Sequence, residues 1–130
     1  MISPLTEKRL LQCVIAFACL VPVSAGLSGV ILGATFLGDG TIDMDSHFRY
    51  LSGLLLGIGL CFLSAVPDIE HHTVRIHLLT FFVVIGGLSR LLGFLLAGTP
   101  GLSMVAAVGM ELVVTPLLCL WQHRLARRFN

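Results

Sequence analysis

Two ionisable side chains stand where charge is expensive. Ile76 to Leu96 (IHLLTFFVVIGGLSRLLGFLL) is apolar apart from His77 at its entry and Arg90 well inside. Leu102 to Trp121 is a second apolar stretch with a single acid, Glu111, at its middle. A guanidinium in hydrocarbon costs at least about 2.5 kcal/mol unless it finds a partner. Arg90 and Glu111 are therefore expected to face each other across two adjacent helices. At 1.5 Å per residue, Arg90 lies about 9 Å and Glu111 about 14 Å from the turn that joins the stretches. An arginine side chain spans the difference of about 5 Å. His47, Arg49 and Tyr50 open another apolar stretch, at the outer rim of the same half of the membrane. With Arg90 and Glu111 they form a candidate polar binding pocket that opens on one side of a membrane. Two roles for the ion pair stay open: recognition of a ligand, or a lock on helix register.

Other reactive residue types group less tightly. His71, His72 and His77 accompany Asp68 and Glu70, residue types that can hold a metal. His72 and His77 are five apart, so they do not share a helical face as an i, i+4 pair would. A solvated loop is the plainer reading, and no metal centre is expected. His77 and His123 both fall at helix ends where two imidazoles could ligate haem. Each also lies near water, and no cofactor is expected. No G-x-S-x-G, H-E-x-x-H or glycine-rich phosphate loop occurs, so no catalytic residue is assigned. Cys13, Cys19, Cys61 and Cys119 are scattered singly in apolar runs, with no C-x-x-C among them. They read as small hydrophobes.

The surrounding elements must be helices in lipid. The chain has 130 residues, 56% of them hydrophobic and 12% charged, with a mean hydropathy of +0.98. Soluble domains carry about 25% charge, so this chain's solvent is hydrocarbon. A net charge of +1 gives no reason to expect nucleic acid as a partner. Residues 10–37 run without a charge, long enough to span. The basic start and Val23-Ser24-Ala25 imitate a signal peptide. The apolar run continues past that point, which favours an uncleaved first helix kinked at Pro22. Further helices are expected over about 47–66, 75–96 and 102–122. The whole is an all-α, four-helix transmembrane up-down bundle, one domain over 1–130.

Ala25, Gly29 and Gly33 recur every fourth residue, and Gly53 and Gly57 repeat the spacing. Such smooth faces admit a neighbouring backbone, within the chain or in a second copy. Between the first two helices, Gly38 to Ser46 reads as a turn, with Asp45 or Ser46 as the cap of the second helix. Ala97 to Gly101 is tight enough to make the last two helices antiparallel neighbours. Lys8, Arg9, Arg75, Arg124, Arg127 and Arg128 would share one side of the membrane. Arg49 stands alone on the other, beside Asp39, Asp43 and Asp45. The positive-inside rule then places both termini in the cytoplasm, with the acidic first loop on the outside.

Arg49-Tyr50, the run Gly86-Gly87-Leu88-Ser89-Arg90, and Glu111-Leu112 followed by Pro116 resemble the bacterial membrane proteins grouped as domain-of-unknown-function family 4345. The likeness covers about Leu10 to Gln122. Thr115 departs from it, standing where a second proline would be expected. The resemblance implies a four-helix integral membrane protein and no activity. In outline the chain is also similar to DoxX-like proteins.

The reading that follows is a non-enzymatic membrane binding or scaffold protein. Its partners would be the lipid bilayer, a lipid or small apolar ligand, and a second copy meeting it through the glycine faces. A proton- or ion-coupled transporter is the alternative, but small multidrug carriers place their glutamate in the first helix, which has no acid here. A glutamate paired to arginine should also stay ionised and not titrate with substrate. A membrane enzyme acting on a lipid or quinone is the third reading, with Glu111 or His47 in acid–base work.

Overall fold

The computed structural model describes residues 1–36, 38 and 40–130, and among them there are helices and no strand. Leu37, the expected end of the first helix, and Asp39 of the acidic turn lie outside the described residues. Helix α1 spans Pro4–Leu32 and passes into a 3-10 turn, Gly33–Phe36. Helix α2 spans Ile42–Ala65, and a 3-10 turn at Ile69–His71 leads to α3, Thr73–Ala97. Helix α4 spans Leu102–Phe129, with a π-helical turn at Met110–Val114. All four are long and apolar enough to cross a membrane, so the chain is a multi-pass membrane protein. Large side chains face outward along them, among them Phe17, Phe81, Leu95 and Leu102. Lipid is the solvent that such a surface suits.

The first two helices begin earlier than their apolar runs do, because polar residues cap them. Ser3 Oγ accepts the Thr6 N–H at 3.2 Å, with Pro4 at the first helical position, where its missing N–H is no loss. Thr41 Oγ1 accepts the Met44 N–H at 3.2 Å, so Thr41 caps α2 in place of the expected Asp45 or Ser46. Asp45, one turn inside, has another task described below. Helix α4 runs past Gln122 to Phe129, with Arg127 and Arg128 in its last turn, where cations complement the carbonyl end of a helix.

Two compact units divide the chain: Gln12–Pro67, and Met1–Leu11 with Asp68–Asn130. The first is a hairpin of α1 and α2 whose backbones meet at glycine. A Cβ on Gly26 would lie 2.6 Å from the Leu56 nitrogen and 2.8 Å from the Ser52 oxygen. Gly29 faces the Ser52 Cβ, and Gly59 faces Val23. The contact stripe is thus Gly26, Gly29 and Gly33, while Ala25 is exposed. Gly57 has nothing within 4 Å of its Cβ position, so the Gly53–Gly57 spacing is not what closes this hairpin.

Long polar side chains tie both ends of this hairpin. Arg49 Nη1 donates to the Val30 and Ile31 carbonyls at 2.6 and 3.1 Å, covering the C-terminus of α1. Its Nε donates to Asp45 Oδ2 at 2.8 Å, and Asp45 Oδ1 accepts the Ala34 N–H at 2.7 Å. Gly33, at φ +67°, gives the chain the left-handed step that brings Ala34 there. At the other end Gln12 Nε2 donates to the Val66 and Pro67 carbonyls at 2.7 and 2.9 Å, covering the end of α2.

The second unit is the α3–α4 hairpin with the first turns of α1. Its core gathers Leu11, Ile69, Ile76 and Leu125, each at most 1% exposed. Fully buried Gln122 donates from Nε2 to the Ile69 carbonyl at 2.7 Å and to Thr73 Oγ1 at 3.0 Å, fixing the connection that precedes α3. Trp121 Nε1 and Arg128 Nη1 both donate to Glu7, and Lys8 Nζ donates to Glu70 Oε1 at 2.6 Å. Gly98, at φ +99°, ends α3 with its N–H on the Phe94 carbonyl.

Candidate functional site

Arg90 and Glu111 meet. Arg90 Nε donates to Glu111 Oε1 at 3.1 Å across the α3–α4 hairpin. The contact depends on a glycine: a Cβ on Gly87 would lie 2.9 Å from the Glu111 Cβ and 2.8 Å from Leu112 Cδ2. With hydrogen there instead, α4 comes close enough for the carboxylate to reach one turn along α3 to Arg90.

The pair is incompletely satisfied. Arg90 Nη1 points to Met104 Sδ at 3.2 Å, and a thioether is a weak acceptor. Glu111 Oε2 is buried with no hydrogen-bond partner among the described residues. The guanidinium side chain is 38% exposed and the carboxylate side chain 16%. Thus a charge-assisted bond holds one edge of the pair while an acceptor oxygen on the other edge has no donor.

The backbone at Glu111 is also unusual. Met110–Val114 is a π-helical turn, and the Met110 carbonyl accepts both the N–H and, at 2.8 Å, the Oγ1 of Thr115. Pro116 explains it: a proline has no N–H to donate, and its ring collides with the carbonyl four residues earlier in a regular α-helix. Widening the preceding turn relieves that collision. Thr115, where a second proline was expected, is the residue whose hydroxyl fastens the widened turn.

His47, Arg49 and Tyr50 belong to the other compact unit. There Arg49 is committed to Asp45 and to the end of α1. Tyr50 is 62% exposed. His47 lines a groove of about 600 Å³ with Ala34, Asp43, Phe48 and Leu51.

Among the histidines the structure separates two groups. One oxygen or nitrogen each of Asp68, Glu70 and His71 lies within 4.8 Å of the others. Glu70 is the centre of that group and already holds Lys8, while His71 Nδ1 stands 3.6 Å from the same oxygen. Burial alone would push the Glu70 carboxyl up, but the hydrogen bond and charge of Lys8 outweigh it and hold it below the usual range. A cation here would have to displace Lys8. His77 and His123 stack instead, with ring centroids 5.3 Å apart and planes at 29°. The four cysteines are free thiols.

Several contributors had no sequence signal. Met104 and the orphaned carboxylate oxygen depend on rotamers. Gln12, Gln122 and Glu7 act on partners more than fifty positions away. The Thr115-Pro116 pair following Glu111 was a usable signal for the π turn.

The family model described as Domain of unknown function (DUF4345) matches residues 10–122. No curated protein and no solved structure matches the chain. The match covers most of the sequence, and the chain belongs to the DUF4345 family.

Proposed function

We propose that this protein is a non-enzymatic membrane binding protein of the bacterial inner membrane. The Arg90–Glu111 pair is its recognition element for the polar head of a lipid or another small, largely apolar molecule. The observation that carries this reading is the unfilled bonding capacity of the pair: a buried carboxylate oxygen without a donor, beside a part-exposed guanidinium whose second partner is only a sulfur. Buried polar atoms are nearly always satisfied, and exceptions mark strain or an absent partner. A π turn at the acid supports the same reading, since these turns recur at functional sites. A head group offering one donor to Glu111 and one acceptor to Arg90 would complete both residues.

A second reading, the register lock, is favoured by the seating of Gly87 on Glu111 and Leu112. The two are compatible, because a site that fixes its own helices is preorganised for a ligand. The basic ends Lys8, Arg9, Arg75, Arg124, Arg127 and Arg128 support a topology with both termini in the cytoplasm.

Native mass spectrometry of the protein released from detergent tests the binding role. A retained small molecule is expected on the wild type and absent from Arg90→Gln protein of normal helix content. Wild-type protein that carries nothing, or a variant that carries the same molecule, would overturn it.

A further inference from the structure

We propose that His77 and His123 form a binding site for a divalent transition cation of the zinc type, joining the beginning of α3 to the last turns of α4. The first observation is the spacing of the rings. A tetrahedral zinc holds imidazole nitrogens at about 2.0–2.1 Å; adding about 1.1 Å to each ring centre puts two centroids about 5 Å apart. His77 and His123 stand at 5.3 Å. The ring centres already have the separation of two ligands on one ion, and coordination requires each stacked ring to turn about χ2 until a nitrogen faces it.

The second observation is an unfilled valence. His123 Nδ1 is buried and has no hydrogen-bond partner among the described residues. Ligand histidines usually fix one ring nitrogen by a bond to the other; here a nitrogen stands without any bond, and a cation supplies one. Thr80 lies one turn along α3 from His77, and its Oγ1 is likewise buried and without a partner.

The two residues hang on a rigid frame. Gln122, the neighbour of His123, is fully buried and bonded to Ile69 and Thr73, and Ile76, the neighbour of His77, is 1% exposed. Imidazoles on such anchored backbone lose little freedom on binding. The site is separate from the Arg90–Glu111 pair by thirteen positions along α3, about 20 Å, and does not rest on the function proposed for that pair. It differs also from the Asp68–Glu70–His71 group, where Lys8 already occupies the carboxylate.

Zinc titration into chelator-treated, tag-free protein in detergent, followed calorimetrically, tests the assignment. The wild type is expected to take up one equivalent with a dissociation constant at or below the micromolar range. X-ray absorption at the zinc edge should show two imidazoles. His77→Phe and His123→Phe keep a stacked ring and the packing, and each should weaken binding at least tenfold. His71→Ala with His72→Ala should leave it unchanged. Absence of saturable binding to the wild type would overturn the proposal. So would equal affinity in the two phenylalanine variants, or loss of binding in the His71–His72 variant alone.

Discussion

Two arginine–acid pairs, one from each compact unit, are finished differently. Arg49 and Asp45 sit four apart on one helix. Both carboxylate oxygens of Asp45 accept a hydrogen bond, and the guanidinium divides its donors between Asp45 and the open carbonyls of α1. Arg90 and Glu111 come from two helices. One oxygen of Glu111 has no partner among the described residues, and one donor of Arg90 rests on sulfur. In the first pair each carboxylate oxygen has a donor from the chain itself. The second has bonding capacity left over among the described residues, and the binding role proposed for it rests on that surplus.

The comparison is broken most sharply at Arg90. Arg90→Ala leaves Glu111 buried and unpaired and should cost about 2–3 kcal/mol, less than a fully buried pair because the guanidinium is partly exposed. Unfolding in a detergent titration measures it, and the swapped Arg90→Glu, Glu111→Arg protein should recover part of the loss. If Arg90→Ala is neutral, the pair is not held in the part-buried geometry described. Next comes Gly87→Ala. The added methyl meets the Glu111 Cβ, which cannot swing away, so overpacking of about 1–2 kcal/mol is expected together with loss of any bound molecule.

Arg49→Ala should be milder, about 1 kcal/mol, because water or headgroups can replace the lost donors at an exposed helix end. It should leave binding at Arg90–Glu111 unchanged. The smallest effect concerns Lys8–Glu70. The folded Glu70 carboxyl is held below its ordinary value. Its contribution is therefore complete above the unfolded value, near 4.5, and is lost as pH falls through the lower folded one. Thermal melts at pH 7 and pH 4 should differ less for Glu70→Gln than for the wild type.

Much of the frame was legible from residue types. A lone arginine and a lone glutamate in consecutive apolar runs, joined by Ala97 to Gly101, had one economical solution, and depth counting placed them within reach. What could not be read were details fixed by single hydrogen bonds. Thr41 won the cap of α2 because its hydroxyl lies three residues from a free N–H, while Asp45 was drawn back to Ala34 and Arg49. Gly26 replaced Ala25 in the contact stripe because α2 crosses α1 at Ser52 and Leu56, a rotation that spacing alone does not set. The amides of Gln12 and Gln122 carry no local signal in the sequence, because they tie backbone more than fifty positions away.

The most direct test of the central claim is the amount of co-purifying small molecule per protein, measured side by side in the wild type, Arg49→Gln and Arg90→Gln. The account predicts equal occupancy in the wild type and Arg49→Gln, and at least a tenfold drop in Arg90→Gln. Equal occupancy in all three, or a drop confined to Arg49→Gln, would contradict it.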